Sequence, residues 1–194
     1  MIPVRRSLVA VSMVAVLAAG VAAVAAARWT QPVAEADEAL AGGEWERALS
    51  AYAAAQSRFD RAPALRALFA RDYARVVGAE LALAYRLQRF DAVTDMAQRA
   101  PEAASPHFWA GLAYFAKSRG DARPEEQSGW LMRAEEELRR AVATEPDAWD
   151  VKYDFELVSR LAAALRKAPR PPDQIMQLLR PQQRSGTKTP RHAG

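Results

Sequence analysis

The side chains best equipped for chemistry in this chain are its carboxylates, and their spacing argues against a reaction centre. Glu135, Glu136 and Glu137 are consecutive and fall outside the apolar stripe of a helical pattern, so they are read as solvating an outer face. Asp147, Asp150, Asp154 and Glu156 lack the turn glycine and ligand spacing of an EF-hand loop. Asp147 is expected as a helix N-cap and Asp150 as a first-turn acid. The two histidines, His107 and His192, cannot build a histidine-rich metal site, and His107 is expected in a neutral surface or capping role. The chain has no cysteine, which removes thiolate nucleophiles, disulfides and the usual structural zinc sites. No Ser-His-Asp set, phosphate-binding glycine loop or HExxH motif occurs. The expectation is a protein that is not an enzyme and holds no cofactor or metal.

Recognition is the chemistry that remains. Trp45, Trp109, Trp130 and Trp149, with Tyr114, Phe115 and Tyr153, are more aromatic side chains than a small alanine-rich core needs. Most of them should fill gaps between helices, and a minority is free to anchor a partner. Trp130, inside an insertion, and Trp149, Tyr153 and Leu157, on one stripe of the last helix, are the candidate partner-binding residues.

The elements that would position them are helices. Leu131, Ala134, Leu138, Ala141 and Val142 recur at three- and four-residue intervals, Pro146 ends that pattern, and a further helix follows from Asp147. This last helix carries two stripes. Val151, Phe155, Val158, Ala162 and Leu165 form one, and Trp149, Tyr153 and Leu157 the other, which has no later helix pair to cover it. Upstream, short helices are expected over 33–41 and 44–59, separated by Gly42-Gly43. A long helix over 63–88 follows, with an early stripe of Leu65, Leu68, Phe69, Tyr73 and Val76 and a bend at Gly78. The segment 90–100 is its short partner.

Gly43, Trp45, Ala48, Tyr52 and Ala55 stand at the spacing of the second helix of a tetratricopeptide repeat, although Ala36 and Ala39 replace the large residues of its first helix. Gly111 and Tyr114, then Ala134, Leu138, Ala141 and Pro146, resemble a complete repeat interrupted by SRGDARPEEQSGW, a loop or a helix extension. The fold class expected is all-α, a degenerate tetratricopeptide-like helical-repeat bundle with one N-terminal transmembrane helix.

That helix is the run 7–27, uncharged for 21 positions after Arg5-Arg6. It is long enough to cross a bilayer core of about 30 Å, and the basic flank predicts a cytoplasmic N-terminus and a periplasmic body. Ala25-Ala26-Ala27 also satisfies the small-residue rule for a signal peptide; both readings export the body, and the length favours an anchor. The domains expected are 1–30 as membrane anchor or uncleaved signal, 31–168 as helical body, and 169–194 as a proline-rich, basic, largely disordered tail. Charge follows the same division. The net charge of +4 conceals +6 over 166–194, +3 over the first thirty residues and −5 over 31–165. An acidic body with a basic tail does not suit nucleic acid, whereas the tail suits phospholipid headgroups or an acidic partner.

The stretch AVATEPDAWDVKYDFELVSRL is similar to the terminal helix of small membrane-anchored helical-repeat proteins encoded with von Willebrand A-domain proteins and MoxR-type ATPases. With the single anchor, the degenerate repeats and the closing RPPDQ…GTKTP tail, the layout most resembles the MxaK-type accessory proteins of bacterial methanol oxidation. The resemblance implies a non-catalytic periplasmic adaptor for methanol dehydrogenase maturation by calcium insertion. Its partners would be methanol dehydrogenase or MoxR and von Willebrand A-domain assembly factors, and its place the inner membrane, as a single-pass protein. The alternative is a scaffold of another envelope complex of the same class.

Overall fold

Gly42 and Gly43 stop a helix, as their pairing predicts, and the backbone shows how. In the computed structural model, which describes residues 3–120 and 123–167 and only a minority of the side chains over 3–26, the first helix α1 spans Pro3–Ala41. Gly43 follows it in the left-handed region (φ 74°). The Gly43 N–H then reaches the Leu40 carbonyl at 3.1 Å and the Glu44 N–H the Ala39 carbonyl at 2.9 Å, the paired closing bonds of a Schellman turn. Helix α2 (Trp45–Arg61) folds back along α1. Their shared interior is small on one side and aromatic on the other: Ala36, Ala39, Ala48 and Ala55 are buried beside Tyr52 and Phe59. Small residues let the axes approach, and the aromatics fill what remains.

The expected separate helix over 33–41 is instead the last part of α1, which runs unbroken through Pro32. Proline brings no N–H, so the carbonyl of Arg28, four residues earlier, loses its helical donor. Arg58 of α2 supplies one, its Nη1 lying 2.6 Å from that oxygen. The interruption that the sequence implies is repaired by a side chain from the neighbouring helix.

The long helix expected over 63–88 is two helices, α3 (Pro63–Leu68) and α4 (Ala70–Arg86). The break falls at Phe69 (φ −107°, ψ 40°), not at Gly78. Phe69 closes α3 with its N–H and opens α4 with its carbonyl, at 2.8 and 2.9 Å. Tyr73, Val76, Val77, Leu81 and Ala84 of α4 are buried, with α4 packed on α2, while Leu65, Leu68 and Phe69 are left outside. Gly78 sits within α4 opposite Ala104 of the one-turn 3-10 helix Glu102–Ala104, which packs on α4. These elements form the first of two compact units.

The second unit contains α5 (Phe90–Ala97), α6 (Pro106–Ser118), α7 (Pro124–Thr144) and α8 (Trp149–Lys167). Helix α5, expected as the partner of the helix before it, packs on α6 in this unit. Much of the insertion proves to be helix: Pro124–Trp130 forms the first turns of α7, tied back by Gln127 Nε2 to the Gly120 carbonyl at 2.8 Å. Leu131, Ala134, Leu138, Val158 and Ala162 make the core, with Phe108, Tyr114, Phe115 and Phe155 packed around it. The described residues are thus all-helical, in eight α-helices. Among them no helix is long and apolar enough to cross a membrane; most side chains of the 7–27 run, and all of 168–194 including His192, lie outside the described residues.

Candidate functional site

Helix α8 is amphipathic twice over, and the structure separates the two faces. Val151, Val158 and Ala162 are buried against α7, while Trp149, Tyr153 and Leu157 are 78, 69 and 38% exposed. Spaced four apart, these three side chains line one side of the helix. Asp150 and Asp154 stand beside them, one turn apart. Burial first, and the neighbouring Asp150 second, raise the Asp154 carboxyl above its ordinary range. Lys152 Nζ also lies 5.1 Å from the Trp149 ring centre, so the aromatic stripe has charges of both signs beside it. It suits a segment that brings apolar side chains.

The seat of α8 comes from acids that the sequence assigned to solvent. Glu135 is buried, accepting from Arg166 Nη1 at 2.6 Å and from the Ser159 hydroxyl at 2.8 Å. The Arg166 hydrogen bond is the main reason its pKa is lowered. Glu137 lies 2.7 Å from His107 Nδ1 of α6, so neither acid simply solvates a face and His107 is a cross-helix contact rather than a cap. Glu136 alone of the three stays on the exposed side, paired with Arg139 and Arg140. Asp147 is not the N-cap. It lies in the turn before α8, and the Ala148 carbonyl receives the first helical bond from the Lys152 N–H at 3.2 Å. The Ile175–Leu179 segment, the expected lid for the aromatic stripe, lies outside the described residues.

Trp130 is not part of the α8 stripe. It is half-buried, stacked on Tyr114 with ring centres 5.7 Å apart and planes 11° from parallel. Lys117 Nζ lies 3.8 Å from its ring centre and the Arg133 guanidinium 4.9 Å, so its indole is engaged by α6 and α7 themselves.

A second exposed surface, in the first unit, was not singled out from the sequence. Trp29, Val33 and Ala34 of α1, Phe59 of α2 and Leu65, Leu68 and Phe69 line an apolar groove of about 710 Å³, with Asp37, Asp72 and Arg75 on its margin. Trp29 meets Phe59 edge-on at 5.8 Å, and its indole N–H is buried with no acceptor. The signal in the sequence was PALRALF itself, an apolar cluster at a proline-started turn, but periodicity alone does not say which apolar face finds a cover.

Two further polar features of the first unit are internal. Tyr52 donates to Asp37 Oδ1 at 2.5 Å, and burial, then this bond, push its pKa up to about 12. Glu80 is buried, with Oε2 unpartnered; burial, then the Asp60 charge, push it up to about 7. A carboxyl poised near neutrality is a common mark of a reactive site. Glu80, however, is not among the residues lining the groove, and no group of three or more potential metal ligands occurs among the described residues. Compared with family models, curated proteins and solved structures, the chain matches none.

Proposed function

We propose that this protein is a non-catalytic, membrane-tethered helical adaptor that holds a protein partner on the exposed face of α8. The observation that carries the proposal is the stripe of Trp149, Tyr153 and Leu157, exposed on a helix whose other stripe buries Val151, Val158 and Ala162. Large aromatic side chains clustered on a folded surface, beside Asp150 and Asp154, are the composition of a binding anchor rather than of a solvated helix. Helix pairs stacked in series, with tetratricopeptide-like spacing in the sequence, are the scaffold that presents such faces. The described apolar side chains of the 7–27 run, Met13, Val16, Leu17 and Val24, are each more than half exposed, which supports an apolar medium around that run. Its Arg5-Arg6 flank supports a periplasmic body. The MxaK-type layout points to methanol dehydrogenase, or its MoxR and von Willebrand A-domain assembly factors, as partner, and to calcium insertion as the process assisted.

The test is the double variant Trp149→Ala with Tyr153→Ala, in cells grown on methanol. Both side chains are exposed, so the variant should keep its helical content and melting behaviour. It should lose co-purification with methanol dehydrogenase, and the cells should hold inactive enzyme that recovers when Ca²⁺ is in excess. A folded variant that retains both partner and growth on methanol refutes the reading.

A further inference from the structure

We infer that α3, with the Trp29 groove behind it, is a contact surface for a layer of anionic phospholipid headgroups; this rests on the tethered reading above. Helix α3 buries no residue, and every residue from 63 to 72 is exposed. Leu68 is 73% exposed, with Leu65 and Phe69 beside it at 37 and 42%. Water is a poor medium for such a cluster, so a cover of some kind is required.

Position is the first argument for lipid. Helix α1 is continuous from Pro3 to Ala41, so Trp29 and Val33 on the groove wall lie only about 3 and 9 Å along the axis beyond Ala27, the end of the uncharged run. A protein covering the groove would have to sit where the headgroups of a tethered chain already are. Arg28 and Trp29, immediately after the run, are the residue types that mark a membrane–water boundary.

Charge is the second argument. Residues 58–75 carry five arginines against two aspartates, although the body from 31 to 165 has a net charge of −5. Arg66 and Arg71 bracket Leu68 and Phe69, and both are exposed; Arg66 lies 3.3 Å from Asp60, and Arg75 on the groove margin 3.1 Å from Asp37. Apolar side chains flanked by guanidinium groups match an anionic interface, with the rings and aliphatic groups at the acyl boundary and the cations at the phosphates.

The chain has no cysteine, so a single introduced thiol can be labelled uniquely. Full-length Leu68→Cys carrying an environment-sensitive nitrobenzoxadiazole label is reconstituted into phosphatidylglycerol vesicles containing lipids with a nitroxide at a shallow depth. Ser50→Cys, exposed on α2 toward the Gly43 end of the hairpin, is the comparison. The Leu68 label should shift to the blue and lose most of its emission to the nitroxide, while the Ser50 label does neither. If both labels report water while alkaline carbonate leaves the protein in the vesicles, the tether stands and the contact surface is overturned. A blue-shifted label that the nitroxide does not quench means that protein covers α3, which also overturns the inference. Release by carbonate withdraws the tether itself, and this inference with it.

Discussion

Replacing Gly111 by alanine should destabilise the second unit, against the usual direction of a helical glycine-to-alanine change. Within a helix such as α6 the substitution normally gains up to about 1 kcal/mol of propensity. Here the added Cβ would lie 2.6 Å from Leu138 Cγ, 2.9 Å from its Cδ2 and 3.2 Å from its backbone N. Leu138 is fully buried, and its Cγ is held by the α7 backbone, so relief requires α6 and α7 to separate. Overpacking of this kind costs about 1–3 kcal/mol, leaving a net loss of up to about 2 after the propensity gain. Leu138→Ala alone should cost about 2–5 kcal/mol by opening a cavity. In the double variant the new methyl enters that cavity, so its loss should fall below the sum by about 1 kcal/mol or more. Gly78→Ala serves as the control, because its nearest neighbours are 3.7 Å away and it should gain stability. Urea unfolding of wild type and the four variants followed by tryptophan fluorescence measures all the terms. Strict additivity, or a Gly111→Ala that gains stability as Gly78→Ala does, refutes the close approach of α6 and α7.

Three other expectations test the local physics. Gln88 closes α4 with φ 58°, its N–H bonded to the Tyr85 carbonyl and the Arg89 N–H to the Ala84 carbonyl, so Gln88→Gly should stabilise by about 1 kcal/mol in thermal melts. Glu80 titrates near 7 when folded against 4.5 ordinarily, so the folded state keeps an extra proton between those values. Stability should then fall as pH rises through that window, and Glu80→Gln should melt above wild type at pH 8 yet show little advantage at pH 4. Glu135 has the opposite sign, since its folded pKa is lowered by Arg166; its contribution is present above the ordinary carboxylate range and is lost as pH falls through the folded value. Glu135→Gln should accordingly lower the melting temperature at pH 7, with the difference from wild type shrinking in acid.

The helices were legible where a residue acts through its own backbone. Gly43, Pro63 and Pro146 punctuate the chain by conformations and missing donors that belong to them alone, and the all-helical class follows from the periodicity between them. What was not legible depends on a second element. Pro32 reads as a helix boundary until Arg58 is found on the Arg28 carbonyl. Three consecutive glutamates look equivalent, yet α8 presents Arg166 and Ser159 to Glu135 and α6 presents His107 to Glu137, leaving only Glu136 to solvent. At the candidate sites, the second stripe of α8 could be read because Trp149, Tyr153 and Leu157 recur four apart on a face separate from Val151, Val158 and Ala162. The α3 surface could not, since Leu65, Leu68 and Phe69 continue in register with Tyr73 and Val76. Only the break at Phe69 turns them away from the core.

The interior also bears on how unusual these exposed surfaces are. Much of the buried set is alanine: Ala36, Ala39, Ala48, Ala55, Ala74, Ala84, Ala110, Ala113, Ala134, Ala141 and Ala162. Alanine removes little apolar area from water, so within each unit close helix approach and polar clamps, Tyr52–Asp37 in the first and Glu135–Arg166 in the second, add to the cohesion. In such a protein a large apolar side chain is the strongest stabilising device available, and burying it would be the expected use. Yet Leu68, Phe69, Trp149 and Tyr153 are left outside while alanines fill the core. Their places on the surface do not follow from packing, and their exposed apolar chemistry is what the proposed partner and bilayer surfaces rest on.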